Sequence, residues 1–328
     1  MYCNNICYFY PRMKDSYLII ALILLLIQPA NMLAQETRLS YTLQPGETYY
    51  LESDLQQSTH SESIDSEEIS FYNLTKLEFR VDSIDNSGQF CMSVQYRELL
   101  ISMLAPQLDI DISSASGKDP LLSEMVDLLE QGSFQLVMST RGEIVRLEGL
   151  EQLFSPLASL QVNDSAEHQV IMKTLEEAYG PNAFRSMCNL FLNIYPVMNP
   201  MSNWTNDITY YFNTKAVKMV NRYFLTKTTE DMLVIQGLGM LNSIKEFHET
   251  TGMGDVKSAV SGSQTYDFQM DPETGWLVRC ISRQRVKIET TILKSNYLPP
   301  GLIIPSYAET TFEVSGGRLE QAINTEKR

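Results

Sequence analysis

Histidine is nearly absent from this chain: His60, His168 and His248 are the three in 328 residues. A zinc centre wants three or four ligands at recognisable spacing. The stretch His248-Glu249-Thr-Thr-Gly252 opens like a metalloprotease helix motif but has glycine where the second histidine belongs. Ser-His-Asp catalysis has no support either, because no G-x-S-x-G elbow occurs. The pairs Gly237-Leu-Gly239 and Gly252-Met-Gly254 lack the third glycine and the downstream acid of a dinucleotide fingerprint, and read as loop or strand-bulge glycines. Asp109 with Asp111, and Asp267 with Asp271 and Glu273, have neither the length nor the order of a calcium loop and read as solvated acids. The expectation is therefore no catalytic, cofactor or metal residue, with dispersed carboxylates for glycan or peptide hydrolysis as the least favoured reading.

Positive charge is also scarce. The chain carries 25 Lys and Arg against 40 Asp and Glu, a balance that opposes nucleic acid and anionic membrane surfaces, which need clustered cations. Of five cysteines, Cys91, Cys188 and Cys280 follow the first forty residues, and an odd number of thiols excludes a disulfide scaffold. Cys188 falls on an apolar helical stripe, while Cys91 and Cys280 fall in strands and are the pair that one disulfide would join. Long apolar runs are absent apart from Tyr17 to Gln28, which follows Arg12 and Lys14. That run is short for a bilayer crossing and reads as the core of a signal peptide spanning 1–34, with Met13 as an alternative start. The expectation is an exported chain, periplasmic or extracellular, with no integral membrane segment after cleavage.

What is present is patterned. Leu77, Phe79 and Val81 alternate with polar residues, Ser87-Gly88 turns, and Phe90, Met92, Val94 and Tyr96 alternate again, which predicts a hairpin with one buried face. Residues 54–70 suit either a long polar strand pair or a loop, and 105–118 a polar connection. Asp119-Pro120 followed by an apolar stripe to Leu129 and then Gly132 predicts a helix. A strand pair crosses Gly142, and helices are expected through 150–160, 165–179 and about 182–194. Strands return beyond Pro200, at 204–212, 219–226, 232–238, 265–270, 276–293 and 307–314. The predicted class is α+β: extensive curved antiparallel sheet from both ends of the chain, packed with a central helical segment.

An internal echo suggests duplicated β units. GSFQLVMSTRGEIVR from Gly132 and GSQTYDFQMDPETGWLVR from Gly262 share an opening, a turn glycine and a Val-Arg exit. This divides 35–328 into two similar halves, about 38–150 and 200–316, joined by helices over 150–195 and followed by a polar tail at 317–328. Within the second copy, Asp271 caps a type I turn, Pro272 presets its second position and Gly275 takes the left-handed conformation. Tyr266, Phe268 and Met270, then Trp276, Val278 and Cys280, should alternate across the sheet.

Four segments carry a resemblance: Leu43-Gln-Pro-Gly46-Glu-Thr-Tyr49, STRGEIVRLEGLEQL from Ser139, YPVMNPMSNW ending at Trp204, and DPETGW from Asp271. Together they resemble a family of uncharacterised exported proteins of Bacteroidota envelopes, a domain of unknown function, although Ser202-Asn203 stands where that family's pattern has Gly-Asp. The resemblance implies export and supplies no catalytic residue. The sixteen methionines suit flexible core packing or an adaptable apolar pocket. The reading is a non-enzymatic protein that holds an apolar small molecule or a partner segment between sheet and helices, with a structural or envelope-protein interaction role as the alternative.

Overall fold

Residues that alternate apolar and polar over long stretches, as in Leu77-Glu-Phe-Arg-Val81, can bury a face only by pairing into sheet, and most of this chain does so. The computed structural model describes residues 39–61, 69–105, 108–113, 120–155, 172–173, 175–198, 202–212, 215–251 and 254–319. The signal peptide, Met13, Asp119, His168, Gly252 and the polar tail beyond 319 lie outside the described residues.

The first strands are β1 (Thr48–Ser61), β2 (Ile69–Ile84), β3 (Phe90–Ala105) and β4 (Leu108–Ser113). Helix α1 (Pro120–Gln131) precedes β5 (Ser133–Met138) and β6 (Ile144–Glu148). A 3-10 turn at Glu151–Phe154 and helical residues 172–173 and 175–179 lead to α2 (Pro181–Phe191), which starts with proline in its first turn behind Gly180. Then follow β7 (Asn203–Phe212), β8 (Lys215–Thr228), β9 (Leu233–Ser243), β10 (Phe247–Thr251), β11 (Gly254–Met270), β12 (Leu277–Lys294) and β13 (Ile303–Arg318).

All belong to one 13-stranded sheet ordered β6-β5-β3-β2-β1-β13-β12-β11-β9-β8-β7, with β4 beside β3 and β10 beside β11. Every pairing described is antiparallel. Among the described residues the protein is thus mainly β with few helices, in rough agreement with the α+β expectation, and residues 156–171 of the expected helices lie outside the described residues. Strands also extend beyond their predicted limits: β4 fills part of the expected connection at 105–118, residues 54–61 pair as strand, and His248-Glu249 sits in β10.

The two edges, β6 and β7, are ten strand steps apart, about 48 Å along a flat sheet at about 4.8 Å per step. Helix α2 packs against both, yet eleven residues of helix span only about 16 Å. The sheet is therefore rolled. The helix also seals the β7 edge: Asn189 Nδ2 donates to the Thr209 carbonyl (3.1 Å) and the Tyr211 N–H donates to Ser186 Oγ (3.0 Å). Unpaired strand edges invite association with other chains, and here side chains of a helix satisfy the edge.

A main core fills the roll, with Trp276, Tyr41, Tyr96, Tyr195, Tyr223, Phe79 and Phe268 among its largest buried side chains, and a small separate cluster gathers Val256, Ile292 and Ile304. Cys188 is buried on α2. Tyr195 lies beyond the helix, at a bend before Pro196.

Candidate functional site

One end of the roll is a clasp. The Tyr41 hydroxyl donates to the Leu192 carbonyl (2.9 Å), and the Tyr195 hydroxyl donates to the Gly275 carbonyl (2.7 Å). Trp204 Nε1 donates to the Ile194 carbonyl (2.7 Å), and Trp276 Nε1 to the Tyr50 carbonyl (3.0 Å). The Tyr41 ring meets Tyr195 edge-on at 5.0 Å and Trp276 at 5.9 Å, geometries that suit aromatic quadrupoles. Two turn glycines close on the same clasp. Gly142 (φ +90°) lies so near the Leu192 carbonyl and the Tyr41 ring that a Cβ would overlap them, and a Cβ on Gly275 (φ +70°) would come within 2.5 Å of the Ser40 carbonyl oxygen.

The stretch DPETGW is a hairpin turn within this clasp. Asp271 Oδ1 accepts the N–H groups of Glu273 (2.7 Å) and Thr274 (3.1 Å), while the Gly275 N–H returns to the Asp271 carbonyl at 2.9 Å. Pro272 is the first residue of the loop, where its lost N–H costs no ladder bond. The alternation expected after the turn fails at Val278, which is exposed. A register shift sets Gln269 against Arg279 and Met270 against Leu277, so Val278 is the extra residue of a β-bulge.

Cys91 and Cys280 do not form a disulfide; both are free thiols. Cys91 lies between inward-facing Phe90 and Met92 on β3, so it points outward, whereas Cys280 points into the core of β12, four strand steps away. That distance far exceeds the reach of a disulfide. Burial raises the thiol pKa of Cys188 and of Cys280 well above its ordinary value, which keeps both protonated and poor nucleophiles.

Beyond the clasp the inner face changes character. At one level of the sheet the paired inward residues on β7, β8, β9, β11, β12, β13 and β1 are Asn206, Asn221, Gly239, Gln264, Gln284, Thr310 and Gln57. This is a belt of amides and a hydroxyl crossing seven strands. Gln264 Nε2 donates to Ser282 Oγ (2.6 Å), Gln284 Nε2 to Gln264 Oε1 (2.8 Å), and Thr310 Oγ1 to Gln57 Oε1 (3.2 Å). The Tyr266 hydroxyl crosses over β9 to Asn221 Oδ1 (3.2 Å) and Met219 Sδ (3.1 Å).

The glycines of β9 make that crossing possible. Gly237 and Gly239 sit in regular register, neither in a loop nor at a bulge, contrary to the sequence reading. A Cβ on Gly237 would meet the Tyr223 ring at 2.8 Å, and one on Gly239 would meet Asn221 Oδ1 at 2.5 Å. The bare strand is covered by Tyr223 and Tyr266, whose ring centroids are 6.0 Å apart.

The buried polar side chains among the described residues are all amides and hydroxyls, with no Asp, Glu, Lys, Arg or His. Charge sits on the outer face, in pairs such as Lys76–Glu52 (3.1 Å), Arg97–Glu78 (2.8 Å) and Arg285–Glu309 (3.1 Å). Asp267 and Glu273 are exposed, and no group of three or more potential metal ligands occurs among the described residues. His60 stacks on Tyr307 (5.4 Å) across β1 and β13.

The belt is buried along β8, β11 and β12 but reaches partial exposure at Gln57. Leu55 and Thr59 on β1, Phe71 on β2 and Ile288 on β12 are likewise half-buried inward residues. These partly exposed inward residues beside the belt form the candidate site. The sequence reading missed it because the belt residues are distant in sequence; a row of amides at buried strand positions was the available signal.

No helix among the described residues is long and apolar enough to cross a membrane. No curated protein matches the chain. Among solved structures, lipovitellin matches with 11% identity and a TM-score of 0.47 over 84% of this chain, which spans 25% of that protein's length. Pseudomonas aeruginosa OpdQ matches with 6% identity and a TM-score of 0.22, covering 84% of this chain and 100% of the other. A YmcC-like protein of Bacteroides fragilis, for which export has been suggested, matches with 10% identity and a TM-score of 0.15, covering 82% and 96%. These likenesses are too slight to assign a shared fold. Residues 87–277, more than half of the chain, match the family of unknown function DUF6263, and the chain belongs to that family.

Proposed function

We propose that this is a non-enzymatic exported protein of a Bacteroidota envelope that holds an apolar ligand, or an apolar segment of a partner, on the inner face of its rolled sheet. The observation that carries the reading is the incomplete cover of that face. Leu55, Phe71 and Ile288 pack against the core but stay half-buried, while the inward residues of β9 from Leu233 to Leu241 are buried. Apolar inner surface left partly open beside a filled core is what a binding groove presents. Native mass spectrometry of protein recovered from the exported fraction of its own cells tests this. A retained apolar molecule or peptide is expected, and a bare polypeptide mass with nothing extracted into solvent overturns it.

A second reading, an interaction role in the envelope, is favoured by the outer face of β8 and β9. Val220, Leu238 and Met240 are exposed there beside a shallow groove of about 390 Å³ over Ser261 and Ser263. In-cell crosslinking from position 240 should capture one stoichiometric partner if this face is used, and none if it is not. We also infer a duplicated β unit. The strands β1, β2, β3, β5, β6 and the strands β7, β8, β9, β11, β12 follow the same order across the sheet, with β13 between the two sets, which supports the sequence echo.

A further inference from the structure

The amide belt has more hydrogen-bonding capacity than its own members use. Asn221 Nδ2, the Tyr223 hydroxyl and Gln284 Oε1 are buried without a hydrogen-bond partner, and all three belong to the belt or to the row beside it. The Tyr223 hydroxyl meets the Asn221 amide, and Tyr210 of β7 meets the Gln284 amide across the roll, but a hydroxyl and an amide each have more than one bonding position, so capacity remains beyond these contacts. An unpaired buried polar atom carries a desolvation cost that evolution removes easily by an apolar replacement, so three in one patch call for an explanation. Asn221 Nδ2 is a donor, Gln284 Oε1 an acceptor and the Tyr223 hydroxyl either, spread along the belt from β8 to β12, so each suits an uncharged hydroxyl or amide partner. No ionised group lies among the buried side chains to attract or neutralise charge.

The belt also has an approach. Gln284 pairs across the ladder with Thr310 and Thr310 with Gln57, and Gln57 is half-buried where the inner face opens between β1 and β2. Apolar residues flank the belt one step to either side, with Met219, Leu241, Val286 and Ala308 below it and Leu55 and Phe312 above.

We propose that the belt is a subsite for the uncharged hydrogen-bonding head of an amphiphile, a hydroxyl or amide group, whose apolar part occupies the open inner face. This rests on the binding reading above and specifies which class of apolar ligand the protein selects. An ionised head is rejected because nothing in the belt repays the loss of its hydration.

The test uses the full chain and a fluorescent apolar reporter, N-phenyl-1-naphthylamine, displaced by three probes of equal chain length: monooleoylglycerol, oleate and 1-octadecene. Monooleoylglycerol should displace the reporter at roughly tenfold lower concentration than either of the others. Tyr223→Phe and Gln57→Leu, each checked for a native circular dichroism spectrum, should reduce that preference to about twofold or less while still taking up reporter. The outer-face Arg285→Ala should leave it unchanged. Reporter uptake with all three probes displacing alike, as expected if internal water alone completes the belt, overturns the subsite and leaves the binding reading standing. A preference that survives both belt variants also overturns it, and failure to take up the reporter at all overturns both.

Discussion

The clasp and the belt are built on the same rolled sheet from opposite principles. At the clasp, each polar atom of Tyr41, Tyr195, Trp204 and Trp276 donates to a backbone carbonyl in another segment, so aromatic burial and hydrogen bonding act together. At the belt, the side chains pair mostly with one another, and Asn221, Tyr223 and Gln284 each retain an unpaired atom. Stability resides where the buried aromatic side chains have their polar atoms bonded to backbone, and recognition where side-chain capacity is left over.

This comparison can be broken by substitution. Trp276→Ala removes a fully buried ring that contacts Tyr41, Tyr49 and Phe79, and should lower unfolding free energy by about 4 kcal/mol in urea titration. Gly142→Ala should cost about 2–3 kcal/mol, since any Cβ there meets both a positive φ and the Leu192 carbonyl. The sharpest comparison is one change made at both sites. Tyr195→Phe strands the Gly275 carbonyl and should destabilise by about 1–2 kcal/mol, whereas Tyr223→Phe deletes an unpaired hydroxyl and should be neutral or stabilising by up to about 1 kcal/mol. Equal losses at the two positions would abolish the distinction.

The smallest effect near neutrality becomes large in alkali and spans both regions. Burial pushes the Tyr210 hydroxyl up to about 12 and raises those of Tyr41, Tyr195 and Tyr266 well above the ordinary value. An unfolded tyrosine loses its proton near pH 10, while folded Tyr210 keeps its proton to about pH 12, so stability is full below about pH 9 and falls as pH rises through that window. Tyrosinate absorbance should therefore include a cooperative step coincident with loss of circular dichroism. Gradual ionisation of every tyrosine in a folded chain would contradict the burial.

Much of the framework was legible in the sequence. The hairpins around Gly88, Gly142 and Gly275 follow from alternation interrupted by a residue free to adopt positive φ, and all three glycines do adopt it. Helix α1 follows from its proline start and apolar stripe. Residues such as Gln57 and Thr59, left open in sequence between a polar strand pair and a loop, and Ser258, outside the expected strands, pair when a neighbour supplies the ladder. Val278 was misplaced because a one-residue bulge puts Leu277 and Cys280 on the inner face with Val278 as the extra, exposed residue between them, and nothing local marks it.

The sequence by itself determined the strand periodicity, the turn glycines, the lack of histidine and basic clusters, and the few thiols, because these depend on local sterics and composition. The separation of Cys91 from Cys280, the roll that brings α2 against both edges, the glycine strand roofed by two tyrosines and the belt of amides were decided only by tertiary structure. Each depends on which strands become neighbours, a choice governed by contacts between residues as distant in sequence as Gln57 and Thr310.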